Sequence, residues 1–576
     1  MDKLKHLILL FVLINTQLTI AQQVITLDET VFIHINTTTL VSGETLFYKL
    51  YCIKNTDKTP SLVSKLAYIE LIDNNNNSVF KDKIFLENAT GEGDYFIPTT
   101  LQTGNYKLIA YTSWMLNLST SKMFQIDIKI INPYQTNETG FSTNKLNLKN
   151  TDSVTIAKNT TYQESSANQK SGIALNKKTF ANREKVTVKI DPSVTTNGSG
   201  SYSLSVRKTD ELPTINQTTA NEFAKISTTT NPDKLDVRKK IILPELRGEM
   251  ISGRIVSAKE SDNLQNITIA LSLPGKSPAF KIVETDEMGH FIFNLNKAYY
   301  TPNIVIQVIN EHSDNYTIEL DKPNTPDYSK LNIQPDFNLS ASLKQTLLDR
   351  SITNQIENAY YQRSKDSIST LNESNVFYFP LAKEYILDDF TRFPTLKENI
   401  TEITKELYYK NKNNNYSLHV NDYSIYPQLP EPALVLIDGL LLQNVNELFN
   451  YNMKNIYKIS VIAGTYYIGP RFFNGLISFT TTKNQFTTDI KENYILNPLI
   501  QRPSIKKQYN KIDYSDIKIN ERIPDYRNQL SWIPAADLNK EISFYTSDVK
   551  GTFEVTIEGF TETGKAISLK ETFNVK

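Results

Sequence analysis

The stretch from Ala433 to Thr482, ALVLIDGLLLQNVNELFNYNMKNIYKISVIAGTYYIGPRFFNGLISFTTT, constrains the fold more than any other part of this chain. It opens with a fully apolar strand, ALVLI, which runs into Asp438-Gly439. That dipeptide is a turn signal, because Asp bonds back to its own backbone and Gly accepts positive φ. A polar-flanked helical patch follows, NVNELFNYN, then a second strand, IYKISVIAG, and a third, GLISFTTT, entered through Gly475. The expected order is strand, turn, short helix, strand, tight turn, strand.

Length and charge bound the remainder. With 576 residues the chain should hold about four domains. Lys+Arg and Asp+Glu are both 62, so charge offers no argument for nucleic acid or an anionic membrane surface. Tyr and Phe dominate the aromatics, and Asn and Thr are abundant, a mixture that favours strands joined by polar turns. The lone cysteine, Cys52, excludes an intramolecular disulfide framework and any cysteine-based metal cluster. It is expected as a small buried hydrophobe within TLFYKLYCI.

The N-terminus reads as a secretory signal over residues 1–21. Lys3, Lys5 and His6 precede the apolar run LILLFVLI, and Thr19-Ile20-Ala21 supplies small residues before Gln22. The apolar run is too short to span a membrane. No cysteine near Gln22 marks a lipid anchor, so export with outer-membrane association, on the periplasmic or cell-surface side, is the expectation.

Period-two alternation runs through residues 22–133, in ETLFYKLYCI, KLAYIELID, DYFIPTT, GNYKLIAYTSWM and MFQIDIKII, with Asn74 to Asn77 as a hairpin tip. Residues 134–171 lose periodicity and have linker composition. Within 172–212, Phe180, REKVTVKID and GSGSYSLSVRKTDEL are expected to pair as strands, and 213–248 is a second polar connector. In 249–325, Asp286 and Gly289 should make a turn, leaving Phe291, Phe293 and Leu295 on one core face. Residues 326–410 are read as helical. LSASLKQTLLDRSITNQIENAYYQR has three-and-four spacing, and a second helix starts after Pro394, where Thr395 and Glu398 have capping-box spacing. The module at 411–485 contains the opening stretch, and 486–576 is a last β unit.

Several resemblances attach to these segments. Asp438-Gly439, then Ile456, Ile459 and Val461, then Gly475, Ile477 and Thr480 resemble the plug domain of TonB-dependent outer-membrane receptors. Such receptors continue into a long β-barrel, whereas fewer than a hundred residues follow Thr482 here. Residues Leu101 to Trp114, with the Gly104-x-Tyr106-x-Leu108-x-Ala110-Tyr111-Thr112 spacing, resemble a macroglobulin-like β-sandwich, as does the Phe180 to Val186 opening. The macroglobulin thioester needs a Cys-Gln pair that this sequence lacks. Gly253-Arg254, Ile267 to Leu271 and Thr285-Asp286-x-x-Gly289-x-Phe291-x-Phe293 resemble the regulatory-like domain of carboxypeptidases. RIPDYRNQLSW and FYTSD resemble an ending of large envelope proteins with this domain order. Together they imply a mainly β, multidomain chain: serial macroglobulin-like and regulatory-like β-sandwiches, a small α/β plug-like domain and a short helical segment.

Chemistry is sparsely signalled. His34, His290, His312 and His419 lie in separate segments without metal-ligand spacing. Asp438 at the end of a buried strand is read as a turn former rather than a catalytic carboxylate, and Asn would serve an Asx turn equally well. Asp388-Asp389 suit the entry of a helix. Asp548 is either a cation ligand or a β-turn residue. No Gly-x-Ser-x-Gly, phosphate loop or dinucleotide fingerprint occurs. No enzyme activity, cofactor or metal is therefore expected. Asp152-Ser153-Val154 and Asp366-Ser367-Ile368 resemble a bacterial O-glycosylation acceptor.

Two function classes remain. The first is a non-enzymatic cell-envelope subunit that docks through plug-like and sandwich surfaces onto an outer-membrane barrel or export/uptake assembly. Its candidate contact is a turn-rich loop carrying Tyr466, Tyr467, Arg471 and Phe472, whose composition suits an interface hot spot. Asp438, Gly439 and Gly475 are its structural turn residues. The alternative is a carbohydrate- or peptide-binding module, or a hydrolase accessory, with a groove between sandwiches. A sugar platform needs exposed Trp, and Trp114 and Trp532 both sit in strand patterns where burial is expected.

Overall fold

A computed structural model describes residues 25–135, 172–195, 199–226, 233–236, 238–259, 263–296, 299, 301, 303–310, 312–334, 339–360, 365–368, 376–378, 382–423, 431–488, 492–515 and 523–576. The expected signal sequence, most of the expected 134–171 linker and the Asp152 motif lie outside these residues. The chain is mainly β and divides into two compact units. One comprises residues 1–246, 325–365 and 509–576; the other comprises 247–324 and 366–508. Four helices matter below: α1 (Ala220–Ile226), α2 (Lys344–Ala359), α3 (Leu396–Glu402) and α4 (Asn446–Asn450).

The first unit contains two sandwiches. In the N-terminal one, Thr30–Ile35, Thr45–Ile53 and Thr90–Phe96 form a three-stranded sheet. It faces a five-stranded sheet of Thr39–Val41, Phe124–Ile131, Gly104–Tyr111, Leu66–Ile72 and Ser78–Phe85. The alternating Leu, Ile and Phe residues of these strands enter one core, which also takes in Cys52. Asn76 turns the Leu66–Ile72/Ser78–Phe85 hairpin with φ +62°, and Asp73 Oδ1 accepts from the N–H groups of Asn75 and Asn77.

The second sandwich is assembled from distant parts of the chain. Contrary to the expected pairing, Lys185–Ile190 and Gly200–Lys208 do not pair with each other. The former lies between Ile173–Leu175 and Ile542–Tyr545; the latter lies between Gly551–Thr561 and Gln529–Ile533. Val186 and Val188 thus meet Leu204, Val206, Val555 and Phe573 across a shared core. An isolated two-stranded hairpin buries too little to stand alone, so the 172–212 strands and the C-terminal β residues complete one another. The two sandwiches meet where the Phe32 ring contacts Phe560, with Phe124 of its own sandwich and Phe223 of α1 against the same ring.

In the second unit, His290–Leu295, Glu249–Ser257 and Tyr316–Leu320 form one sheet of a third sandwich. Ala279–Glu284, Thr268–Leu273, Val305–Ile309 and Ile495–Leu496 form the other. Phe291, Phe293 and Leu295 are core residues, and Asp286 N–H and Gly289 (φ +80°) close the turn as expected. The expected strands of 433–482 all belong to one mixed sheet, ordered Lys383–Ile386, Ile456–Ile468, Arg471–Thr481, Leu434–Ile437, Leu440–Leu441. One face packs Leu434, Leu436, Ile462 and Leu476 on Ala270, Phe280 and Ile282 of the third sandwich. The other packs Val435, Ile437, Ile477 and Phe479 under α3 and α4. Each such aliphatic side chain contributes roughly 1.5–3 kcal/mol by leaving water.

The 326–410 segment is not one helical block. Helix α2 belongs to the first unit and α3 to the second. The Thr395 capping box is present, with Thr395 Oγ1 accepting from Glu398 N–H. Helix α3 stops at Glu402, and Leu407–Lys412 forms a hairpin with Asn415–Val420.

Candidate functional site

Asp438 and Gly439 form the two-residue connection between Leu434–Ile437 and Leu440–Leu441. Their φ angles are +49° and +86°, the paired positive values of a primed hairpin turn. The Asp438 carboxylate does not fold back on its own turn, in contrast to the Asx-turn expectation. It crosses to the closing strand instead: Oδ1 accepts from Thr481 N–H at 2.7 Å, and Oδ2 accepts from Thr481 Oγ1 at 2.6 Å and from Phe486 N–H at 3.0 Å. Three donors occupy a carboxylate that is 3% exposed, so the group ties the sheet together and is not free for catalysis. Gly439 is required on both counts, since a Cβ there would stand 2.2 Å from Pro278 Cβ.

Gly475 does not open its strand. It lies inside Arg471–Thr481, opposite a bulge at which three steps on one strand, Ile462 to Thr465, face two on the other, Leu476 to Asn474. Beyond the bulge the two strands continue as a narrow ribbon, not a loop. Tyr466, Tyr467 and Ile468 pair with Phe473, Phe472 and Arg471. The alternation of a strand then sorts the candidate contact residues. Tyr466 and Phe473 are half-buried against the cluster containing Phe280 and Ile282. Tyr467 and Phe472 point the other way, 74% and 63% exposed, with ring centroids 6.0 Å apart, and Arg471 is exposed beside them. At the turn, Gly469 lies so close to Ile282 that a Cβ would come within 2.4 Å of its carbonyl oxygen.

His34 and His419 are held within the fold. His34 is buried, with Nδ1 2.7 Å from Ser203 Oγ and its ring against Trp532; burial alone pushes its pKa down to about 3. His419 stacks on Tyr408 and contacts Ser417 Oγ at 2.8 Å, and burial followed by the Lys410 charge lowers its pKa. His290 is exposed in its turn. Asp388 accepts from Arg392, four residues on. Among the described residues no group of three or more His, Cys, Asp or Glu is placed to hold a metal.

Asp548 is neither a cation ligand nor a simple turn residue. It takes both Nε and Nη2 of Arg183, at 2.7 and 2.6 Å, and accepts from Asp525 N–H. Asp525 in turn binds Arg527 and accepts from Tyr514 OH at 2.8 Å. Glu357 of α2 lies beside this network, and a cavity of about 220 Å3 opens between them. Of this cluster the sequence singles out Asp548 alone. The charged Asp525-x-Arg527 spacing was visible, but Glu357 joins it from 168 positions away.

No family model and no curated protein matches the sequence. Among solved structures, the chain is similar to trypsin-activated alpha-2-macroglobulin from Escherichia coli, at 9% identity and a TM-score of 0.16 over 95% of this chain and 23% of that one. It is also similar to the native conformation of E. coli alpha-2-macroglobulin, at 9% identity and a TM-score of 0.23, covering 96% of this chain and 40% of that one. Salmonella alpha-2-macroglobulin reacted with methylamine gives 9% identity, a TM-score of 0.22 and the same coverage. The chain thus spans less than half the length of these proteins.

Proposed function

We propose that this chain is an exported, non-enzymatic subunit of the bacterial cell envelope that docks onto an outer-membrane barrel or export/uptake assembly. The observation that carries the reading is the Tyr467–Phe472 pair, displayed with Arg471 on a ribbon whose opposite face is fixed by Tyr466, Ile468 and Phe473. Exposed aromatic rings beside an arginine have the composition of an interface hot spot, and a ribbon anchored on one face loses little entropy when its other face is covered. The resemblance of the Ala433–Thr482 sequence to a receptor plug supports the wall or loops of a barrel protein as the occupant. The carbohydrate-platform alternative finds no support in tryptophan, because Trp114 and Trp532 are both buried.

The test is cell fractionation of the double variant Tyr467→Ser, Phe472→Ser alongside the unaltered protein. Both positions are exposed, so thermal unfolding should stay within about 0.5 kcal/mol of the parent. The parent should sediment with outer membranes and the variant should not. A parent found free in the periplasm, or a variant that remains membrane-bound, overturns the proposal.

A further inference from the structure

The cavity beside α2 in the first unit is independent of the docking ribbon, and its walls have a chemistry of their own. We infer that it is a binding pocket for an alkylammonium group. Its volume, about 220 Å3, lies below the roughly 300–1,000 Å3 of pockets that take whole drug-sized ligands, and suits one side-chain-sized group. Tyr360, Tyr514, Ile512 and Ile523 supply its rings and aliphatic walls, and Glu357 and Asp525 its carboxylates. Rings plus a carboxylate are the recognition chemistry of an organic cation, which gains from the ring faces and the opposite charge together.

The charges at the cavity and in the network behind it are already sorted. Asp525 is held by Arg527 and Tyr514, and Asp548 by both arms of Arg183, whose guanidinium also lies 5.1 Å from the Tyr514 ring centroid. These pairs cancel. Glu357 is different: among the described residues its one hydrogen bond comes from Tyr526 N–H at 2.8 Å, and Arg527, whose charge also acts on it, bonds Asp525 instead. Asp513 and Lys511, which also line the cavity, offset each other in sign. One carboxyl therefore remains to be matched, at the side of a cavity with aromatic walls. Burial, then the neighbouring Asp525, pushes the Glu357 pKa up to about 7. A bound cation favours the ionised form, so binding should release a proton.

The experiment titrates the full chain with n-butylammonium, with n-butanol as the uncharged control, and with the blocked peptide Gly-Lys-Gly, following saturation-transfer NMR. Saturable n-butylammonium binding is expected, with n-butanol at least fivefold weaker. Affinity should rise about tenfold between pH 6 and pH 8, as a group of pKa near 7 ionises. Glu357→Gln should lose most of the affinity together with its pH dependence, and Tyr360→Ala at the exposed rim should weaken it without affecting the fold. Tighter binding of the peptide assigns the pocket to a lysine side chain, and tighter binding of the free amine assigns it to a small ligand. Absence of saturable binding, equal binding of n-butanol, or unchanged affinity and pH dependence in Glu357→Gln overturns the inference.

Discussion

At Asp438 a single atom decides the outcome of the most conservative substitution. Every hydrogen bond that its carboxylate makes is accepted, and two of the three donors are backbone N–H groups, of Thr481 and Phe486. An Asn amide placed either way round points its NH2 at one of them. Asp438→Asn should therefore destabilise the second unit by about 1–3 kcal/mol, the usual penalty for an unmatched buried polar group. Gly439→Ala should cost at least as much, because Pro278 blocks the new Cβ. Urea unfolding of both variants measures this, and a parent-like midpoint for Asp438→Asn would restore the Asx-turn reading. The turn itself was legible because its chemistry is local. Its role was not, because Thr481 and Phe486 stand 43 and 48 residues downstream. Two titrating residues of the first unit pull in opposite directions. His34 is lowered from 6.5 to about 3, so the unfolded chain binds the extra proton; its contribution is complete above pH 6.5 and is lost as pH falls towards 3. Glu558 accepts from Ala220 N–H and Ser568 Oγ, and burial raises it from 4.5 to about 7. Its contribution is complete below pH 4.5 and is lost as pH rises to about 7. His34→Gln should flatten the acid limb of a stability–pH profile, and Glu558→Gln should flatten the 4.5–7 limb. An unaltered profile in both variants would rule out this assignment.

Helix α2 shows how an element legible in isolation acquires its position from charge. Its apolar spacing marked it as a helix, yet its deepest anchor is Arg350. Arg350 Nε donates to Glu44 at 2.9 Å, Nη2 donates to the same carboxylate and to Thr39 O, and Nη1 reaches Asp210 at 3.3 Å. Arg207 Nη2 also approaches Glu44, at 3.1 Å. Arg350→Ala would leave the buried Glu44 carboxylate with the Arg207 cation and the Val41 N–H. Breaking a buried pair from one side typically costs about 3–5 kcal/mol, and the surviving Arg207 should keep the loss near the lower bound. Hydrogen exchange across residues 344–359 should then rise well before the sheets open; unchanged protection would mean that apolar contacts alone seat the helix. The capping box at Thr395 was readable because it spans four residues. The end of α3 was not, since ITEITKEL continues a helical pattern while the chain turns to strand at Leu407. Tertiary pairing with Asn415–Val420 overrides the local preference there. The exposed aromatic ribbon was half legible: YYIGPRFF gave the residues, but the two-residue period that sends Tyr466 inward and Tyr467 outward applies only once the segment is known to be strand.

On the scale of the whole molecule, the chain passes between its two units four times, and the split sandwich closes only when the last seventy or so residues arrive. The sequence marks Lys185–Ile190 and Gly200–Lys208 as strands and residues 486–576 only as a β unit, and neither reading names a partner. Val206 pairs with Val555 and Lys185 with Tyr545 across more than three hundred residues, a separation on which local pattern is silent. The consequence is a sharp asymmetry between the units. A chain ended at residue 508 keeps every segment of the second unit and deprives Lys185–Ile190 and Gly200–Lys208 of all their C-terminal neighbours. It also removes Phe560 from the ring cluster of Phe32 and exposes the half-core of Val186, Val188, Leu204 and Val206. Limited proteolysis of this truncated chain should cut first within residues 172–212 and should leave 247–324 and 366–508 protected. In the full chain, the 172–212 strands should resist cleavage as well as the third sandwich does. If 172–212 stays protected without its C-terminal strands, it is an autonomous domain and the split sandwich is not a single cooperative unit.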